Sequence, residues 1–563
     1  MRVLTPVLVL AAVLATVVPA IALPPLAPPA PDPAAVGRWN PVLIDGEVPA
    51  VSMALLHDGR VLYWSGVEAA HEHDEDMTFF LSHPHEADSR VLDLRGPIPL
   101  VITPANSTSS GSDLFCAGHT ILPDGRVVAA GGTAYTTIPE AGGWDILYGT
   151  ADVRFFLPET NEWVRGPDMQ TGRWYPSVLT LADGDTLTAS GVSTLTNPTT
   201  QATPIERLDQ AVGAWEDAGD RLLPLYPRLI VVPSGPLEGK VFYTTVGTLW
   251  GPFGEHPLEA QWSLQQVYDP ETKEWTFLGP SLLGARQHGV SLLLPLDPRD
   301  GYKAEVLTFG GTLQRSILAV PFAERADLST TPPTNKPAAP LTEGRWHLNG
   351  VLLPDGKVLA VGGGRYDNVV VHGQPNEPVM TAELYDPEAD KWTAVPPMQV
   401  PRMYHSTALL LPDGRVLLGG HVPLPIPFKT VRDNVAFEQQ IRETRLEIYE
   451  PPYLHRGDRP EILGAAAAAH YGAAFTAVTD VAPQEIDSVV LVKPGATTHA
   501  YDAEQRVIRL EWTAETRGDG ATVLTLTAPP NGNVAPPGHY MLFVNKATPD
   551  GPVPSVATFV EIG

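Results

Sequence analysis

The chain has 563 residues, 43% hydrophobic and 8% aromatic, enough to bury a sizeable core and too apolar for a disordered polymer. Only 18% are charged, while 50 Gly and 59 Pro approach a fifth of the chain, which suits many short strands joined by turns better than long helices. The formal net charge of −27 at pH 7 argues against a nucleic-acid partner or an anionic membrane surface.

At the N-terminus, Arg2 precedes an apolar run, Val3–Ala20, and the small-x-small sequence Ala20-Ile21-Ala22. Residues 1–22 therefore read as a secretory signal peptide removed on export, and the mature protein is expected to be extracellular. The competing reading is an uncleaved anchor, because the apolar run is near spanning length. No later stretch is long and apolar enough to cross a bilayer, so no membrane partner is expected after cleavage. Residues 23–36 read as a Pro/Ala-rich linker. Beyond export, the single cysteine, Cys116, can form no internal disulfide; taken alone it reads as a small buried hydrophobe.

From residue 37 a repeat dominates. An apolar strand, an Asp-Gly turn and a second apolar strand ending in small residues recur at 54–66, 120–132, 179–191, 351–363 and 409–420. Weaker copies with longer hairpin loops fall at 229–247 and 291–311, which makes seven. Asp58 to Asp413 spans 355 residues over six intervals, a mean near 59. Asp-Gly between apolar strands is a strong hairpin signal, because the tight turn needs positive φ. A Tyr-Asp-Pro-like turn followed by Trp, as in 267–275 and 383–392, supplies a second hairpin to each unit. Two hairpins per unit make a four-stranded blade, and the expected architecture over 37–459 is a seven-bladed kelch-type β-propeller. The unit near 311–340, with its Pro/Thr-rich 329–340, is expected to carry a loop excursion. The segment 37–46 reads as the missing outer strand of the last blade, which would close the ring and remove its free edges. Residues 460–563 lose the rhythm and alternate as short strands, the pattern of a C-terminal immunoglobulin-like sandwich.

Four residues share one place in this repeat. Cys116, Tyr175, His347 and His405 each lie eight positions before the Asp of an Asp-Gly turn, at Asp124, Asp183, Asp355 and Asp413. In a closed ring such residues face a common centre at the start of the innermost strands. Tyr175, His405 and the adjacent Tyr404 offer oxygen and nitrogen donors, which with one more imidazole suit tetragonal Cu(II).

Several stretches then resemble the copper radical oxidases, the galactose oxidase and glyoxal oxidase family: 113–132, 172–184, 401–421, Thr498–Arg506 and 536–562. The resemblance implies that Tyr175 is an equatorial copper ligand cross-linked through its ring to the sulfur of Cys116. It implies Tyr404 as axial ligand and proton acceptor, His405 as an equatorial ligand, and His499 as the second imidazole, brought in by the C-terminal domain. One copper ion and the Cys116–Tyr175 thioether radical would be the cofactors. The implied reaction is two-electron oxidation of a small aldehyde or primary alcohol, with O2 reduced to H2O2, in a monomeric secreted enzyme. In galactose oxidase a tryptophan stacks on the cross-linked tyrosine; here Ala189–Thr194 contains none, and Trp174 and Trp250 are the candidates to replace it. That departure, with the Arg-Trp-Tyr-Pro context of Tyr175, leans toward the glyoxal-oxidase-like branch. The alternative is a non-catalytic secreted kelch propeller that binds glycan or protein through its loops.

Two further features stand outside this set. His347 faces the same centre without an implied ligand role and reads as a substrate-contact or supporting residue. His71, Glu72, His73, His83 and His85, beside the acidic run Asp74–Asp76, could bind a metal but read more simply as a solvated loop of the first blade.

Overall fold

Where Asp and Gly alternate with apolar runs, tight hairpins form. Gly118–Ile121 pairs antiparallel with Val127–Ala130 across a turn whose Gly125 has φ 86°, and Val153–Leu157 and Glu162–Arg165 complete a four-stranded blade. A computed structural model describes residues 31–65, 89–106, 114–138, 144–194, 200–248, 259–313, 316–367, 377–420 and 443–563. Within them seven such sheets form a propeller. Their innermost strands are Ser52–Leu55, Gly118–Ile121, Ser177–Thr180, Leu229–Val231, Val290–Leu293, Asn349–Leu352 and Ser406–Leu410. Every residue of these strands is buried, since each strand packs between neighbouring blades.

The ring closes as the ends suggest. Arg38–Trp39 pairs with Arg445–Glu450 as the outer strand of the seventh blade, and Asn40 N–H donates to the Ile448 carbonyl at 2.9 Å. An edge strand is thereby consumed. Just before it, Pro33–Val36 forms one helical turn capped by Asp32, and its Ala34 carbonyl accepts from Arg456 Nε at 3.1 Å.

One expectation needs correction. The Pro/Thr-rich stretch of the fifth blade is no excursion; Ala323–Asp327 pairs in unbroken register with Thr334–Ala338, an ordinary outer hairpin with prolines in and beside the turn. Residues after the glycine ends of the second strands are also strands. Thr133–Ile138, Trp144–Gly149, Val192–Thr194 and Thr200–Gln201 make one extra sheet, and Val246–Gly247, Arg286–Gln287 and Thr312–Leu313 another.

The C-terminal segment forms two sheets, one of Ile462–Ala465, Ala474–Thr479, Thr522–Thr527 and Trp512–Thr516, the other centred on Gly538–Lys546. Alternation in Ala474–Thr479 turns Phe475, Ala477 and Thr479 inward, the expected pattern for a sandwich with one wet face. From the second sheet a hairpin crosses to the propeller. Ala496–Thr498 pairs antiparallel with Ser52–Ala54 of the first blade, and Tyr501–Asp502 returns beside it.

A buried ion pair recurs at the start of four blades. Arg173–Glu206, Arg286–Glu324, Arg345–Glu383 and Arg402–Glu447 lie 2.7, 3.1, 2.7 and 3.0 Å apart with side chains at most 4% exposed. Each Arg precedes an inner strand and each Glu sits on the third strand of the same blade. Each guanidinium also donates to backbone carbonyls, as Arg345 does to Thr381 at 2.8 Å, and each carboxylate accepts a loop N–H, as Glu383 does from Thr342 at 2.9 Å. Such a unit tolerates no partial removal: a buried Arg stripped of its carboxylate is an uncompensated charge. Glu383→Ala is therefore expected to cost about 3–5 kcal/mol of stability by chemical denaturation. Removing Glu343 from its exposed pair with Arg365 should leave the midpoint nearly unchanged. Equal losses from the two variants would show that burial does not set the strength of these pairs.

Candidate metal and radical centre

The chain turns sharply into six of the seven inner strands, and the residue at the bend takes a left-handed backbone. Cys116 (φ 60°), Tyr175 (67°), Tyr226 (43°), His288 (50°), His347 (52°) and His405 (64°) all do so. For residues other than glycine this conformation costs roughly 1–2 kcal/mol each. Hydrogen bonds running from blade to blade offset the strain: Tyr175 N–H donates to the Cys116 carbonyl at 2.9 Å, Tyr226 N–H to Tyr175 at 3.0 Å, and His347 N–H to His288 at 2.9 Å. The bend aims each side chain at the axis.

Tyr226 and His288 escaped the eight-residue spacing because the fourth and fifth blades carry longer first hairpins. Another signal marks them. Arg286 stands two before His288 as Arg173 stands two before Tyr175 and Arg345 two before His347, and Tyr226-Pro227 repeats Tyr175-Pro176.

The first blade contributes no such residue; the crossing hairpin fills its place. His499 and Ala500 form the two-residue turn between Ala496–Thr498 and Tyr501–Asp502, both with positive φ (49° and 60°), the sign pattern of a type I′ hairpin. Neither is glycine, so surrounding contacts must hold the turn. Thr498 Oγ1 lies 2.8 Å from His499 Nδ1 and donates to the Val51 carbonyl at 3.2 Å. With its proton committed to Val51, Thr498 is an acceptor for Nδ1–H, which leaves the Nε2 lone pair facing the centre.

The residues that follow radiate into the ring. Glu504 accepts from Thr120 Oγ1 at 2.6 Å and Thr180 N–H at 2.9 Å, and pairs with Lys493. Gln505 bridges Leu352 N–H and the Gly350 carbonyl at 2.8 and 2.9 Å, and Arg506 donates to the Val231 carbonyl at 2.6 Å. Four blades thus grip one short segment. Burial opposes ionisation of Glu504, but the Lys493 ammonium together with the bonds from Thr120 and Thr180 holds the carboxyl below its ordinary range.

At the centre the Sγ of Cys116 and ring nitrogens of His405 and His499 lie within 4.8 Å of one another, all buried, with Cys116 Sγ 3.6 Å from His499 Nε2. The Tyr175 and Tyr404 hydroxyls are in direct hydrogen-bond contact. The His499 ring packs edge-on against His405 at 4.6 Å and Tyr175 at 4.7 Å, and Tyr404 lies 3.9 Å from His405 between centroids. Burial, then the neighbouring imidazoles, hold His499 far below the usual histidine range, so its imidazole is neutral. Burial, followed by Cys116 and Tyr404, raises the Tyr175 phenol well above its ordinary value. A phenol placed there ionises readily only beside a cation. Two phenols, two imidazoles and a thiol on one buried point fit a copper ion with a mixed oxygen and nitrogen donor set.

The structure thus brings together Cys116, Tyr175, Tyr404, His405 and His499. His347 faces the same space, its ring 4.7 Å from Tyr404 and 6.0 Å from His499. Trp174 packs on the Tyr175 ring at 4.1 Å with a 62° tilt. Trp250, His71, Glu72, His73, His83 and His85 lie outside the described residues.

This is a β-propeller whose axis carries a thiol, phenol and imidazole cluster completed by a second domain. The family model for the glyoxal oxidase N-terminus matches residues 284–453, and that for the galactose oxidase-like early set domain matches 459–562. Each of these two regions is thus similar to a domain of the galactose oxidase and glyoxal oxidase family. It is 25% identical over 554 residues to a galactose oxidase of Gibberella zeae, covering 94% of this chain and 71% of that protein. It is 28% identical over 490 residues to a WSC domain-containing protein of Arthroderma benhamiae, covering 80% of this chain but only 46% of that relative's length. A fungal alcohol oxidase of the AA5 family, solved in complex with copper, shares the fold with a TM-score of 0.71 at 23% identity, over 94% of this chain and 99% of that one.

Two predictions concern the crossing segment. Glu504→Ala removes the acceptor for two blades and strands Lys493; stability should fall by about 3–5 kcal/mol, and Cu(II) binding measured by calorimetry should weaken. Unchanged affinity would show that His499 is positioned by other contacts. Asp502 is half-buried with its Oδ2 shielded from solvent, and burial pushes its carboxyl up to about 7. The folded chain then holds a proton that the unfolded chain, with an ordinary value of about 3.9, releases. Stability from this group is full below about pH 4 and is lost as pH rises toward 7. Asp502→Asn should therefore melt higher than wild type at pH 8 and close to it at pH 5; a pH-independent gap would refute the assignment.

Proposed function

We propose that the protein is a copper radical oxidase that oxidises small aldehydes or primary alcohols and reduces O2 to H2O2. The observation that carries this reading is the convergence of Cys116, Tyr175, Tyr404, His405 and His499, from three blades and the C-terminal domain, on one buried point. A propeller that only binds glycan or protein through its loops has no use for such a set.

His405 and His499 would hold the metal by their ring nitrogens, with the Tyr175 and Tyr404 oxygens completing the donor set. Copper, when bound, supplies one-electron redox chemistry and Lewis acidity. The chain supplies the rest. Oxidation by O2 of the Cys116 thiol and a Tyr175 ring C–H, with loss of two hydrogens, joins sulfur to ring carbon. The resulting electron-rich phenol is a second one-electron store. Tyr404 stands with its hydroxyl against that of Tyr175, placed to accept the substrate hydroxyl proton. An alcohol leaves as the aldehyde, or a hydrated aldehyde as the acid, and the two hydrogens leave on O2 as H2O2. The buried setting keeps bulk water from the oxidised phenol, and Trp174 covers the Tyr175 ring.

The glyoxal oxidase match over 284–453 favours aldehydes over galactose as substrates. Residues 1–22 would direct export, 23–36 link the signal to a propeller over 37–459, and 460–563 form the ligand-donating domain of a monomeric secreted enzyme.

Tandem mass spectrometry of protein matured with Cu(II) in air should reveal a Cys116–Tyr175 peptide pair joined by a bond that resists reductants and lacks the mass of two hydrogens. It should vanish in Cys116→Ser and without copper; a free, alkylatable Cys116 after aerobic copper loading sinks the proposal. Tyr404→Phe should keep the cross-link yet lower kcat by about 100- to 10,000-fold.

A further inference from the structure

We propose that Arg228 is a positioning residue of the centre, whose buried and uncancelled charge raises the potential at which the Tyr175 ring gives up an electron. The inference rests on the oxidase reading above and adds to it what sets the oxidising strength of that ring.

Arg173, Arg228, Arg286, Arg345 and Arg402 are the most deeply buried arginines among the described residues. Four of them meet a glutamate on the third strand of their own blade. Arg228 meets no carboxylate among the described residues; the ionisable side chains facing it are the phenols of Tyr501, Tyr226 and Tyr243. Its place on the chain makes the difference. The paired arginines stand two residues before an axial side chain, whereas Arg228 stands two after Tyr226, at the entry to Leu229–Val231. From there the guanidinium turns toward the axis. Nη1 donates to the Tyr226 carbonyl at 2.8 Å, Nη2 to the His499 carbonyl at 3.0 Å and Nε to the Gly289 carbonyl at 3.4 Å. Its Cζ lies 5.1 Å over the Tyr501 ring.

Carbonyl dipoles fill these donors but leave the unit charge uncancelled, and a dry interior screens such a charge least. Burial lowers the guanidinium to about 10, so it stays charged at neutral pH. The axis feels it. Tyr226, whose carbonyl holds the guanidinium, packs its ring 4.7 Å from Tyr175 and 4.9 Å from His499. After burial, the Arg228 charge is the next influence holding the His288 imidazole well below the usual histidine range. A phenolate that loses an electron leaves the centre more positive by one charge, so a fixed cation beside it opposes the loss. The oxidised ring is then a stronger oxidant toward substrate and is more readily quenched by stray reductants.

The test compares wild type with Arg228→Met, Arg228→Gln and Arg228→Lys, each matured with Cu(II) in air and then poised without O2 in mixtures of ferricyanide and ferrocyanide. The step read is one electron passing from the Tyr175 phenolate to ferricyanide, which gives the phenoxyl ring and ferrocyanide, followed by the optical absorption of that ring. At a fixed mixture the ratio of oxidised to reduced ring should rise about tenfold in Arg228→Met and Arg228→Gln, the scale of one unit charge in a protein interior. Arg228→Lys, read at about pH 6, keeps the charge and should stay within about twofold of wild type. Unchanged ratios in both neutral variants, or an equal rise in Arg228→Lys, would overturn the proposal. So would loss of Cu(II) binding by calorimetry in both neutral variants, which would make Arg228 a support for His499 and nothing more. The Cys116–Tyr175 cross-link, recorded by mass on the same samples, separates this failure from that of the oxidase reading. If wild type lacks the cross-link, the oxidase reading falls and takes this inference with it; if every variant has it and the ratio is unmoved, only the role of Arg228 falls.

Discussion

The buried arginine–glutamate pair governs where the centre can form. In four blades a buried guanidinium is neutralised and its donors are filled by an arrangement that clamps the start of the inner strand to the third strand of the same blade. Arg173, Arg286, Arg345 and Arg402 each stand two residues before a side chain at the axis: Tyr175, His288, His347 and Tyr404. With the Arg fixed, the following bend has little freedom, and its left-handed backbone is held by bonds to the neighbouring blade. The structural pair and the chemical residue are thus one device, repeated around the ring.

A ring alone leaves the centre one imidazole short. His499 arrives on a strained turn from the C-terminal domain, and Glu504, Gln505 and Arg506 behind it reach four different blades. Because these bonds cross between domains, the centre senses whether both are folded and docked. A side chain anywhere in that segment acts on the centre through position, without touching it.

Much of this was legible in the linear chain. Asp-Gly turns between apolar runs, with a looser copy at 229–247, announced seven hairpins, and the early Trp39 segment announced closure, because both depend on local backbone preference and on edges that must be covered. Cys116, Tyr175, His347 and His405 were traceable through constant spacing from a turn. Tyr226 and His288 were not, since longer hairpins in their blades broke the spacing while leaving the bend unchanged. The Pro/Thr-rich run of the fifth blade misled in the opposite sense: its composition suggests a loop, but ladder bonds on both sides override it.

By itself the sequence determined the repeat, the number of blades and the chemical types available at the axis, all properties of local periodicity and residue identity. Only the tertiary structure decided which hydroxyl meets which, that the hairpin carrying His499 enters beside the first blade, and that Arg228 turns toward the axis. Those outcomes depend on cross-blade and cross-domain packing over hundreds of residues, where hairpin length, buried charge and steric fit act together and no local pattern records the result.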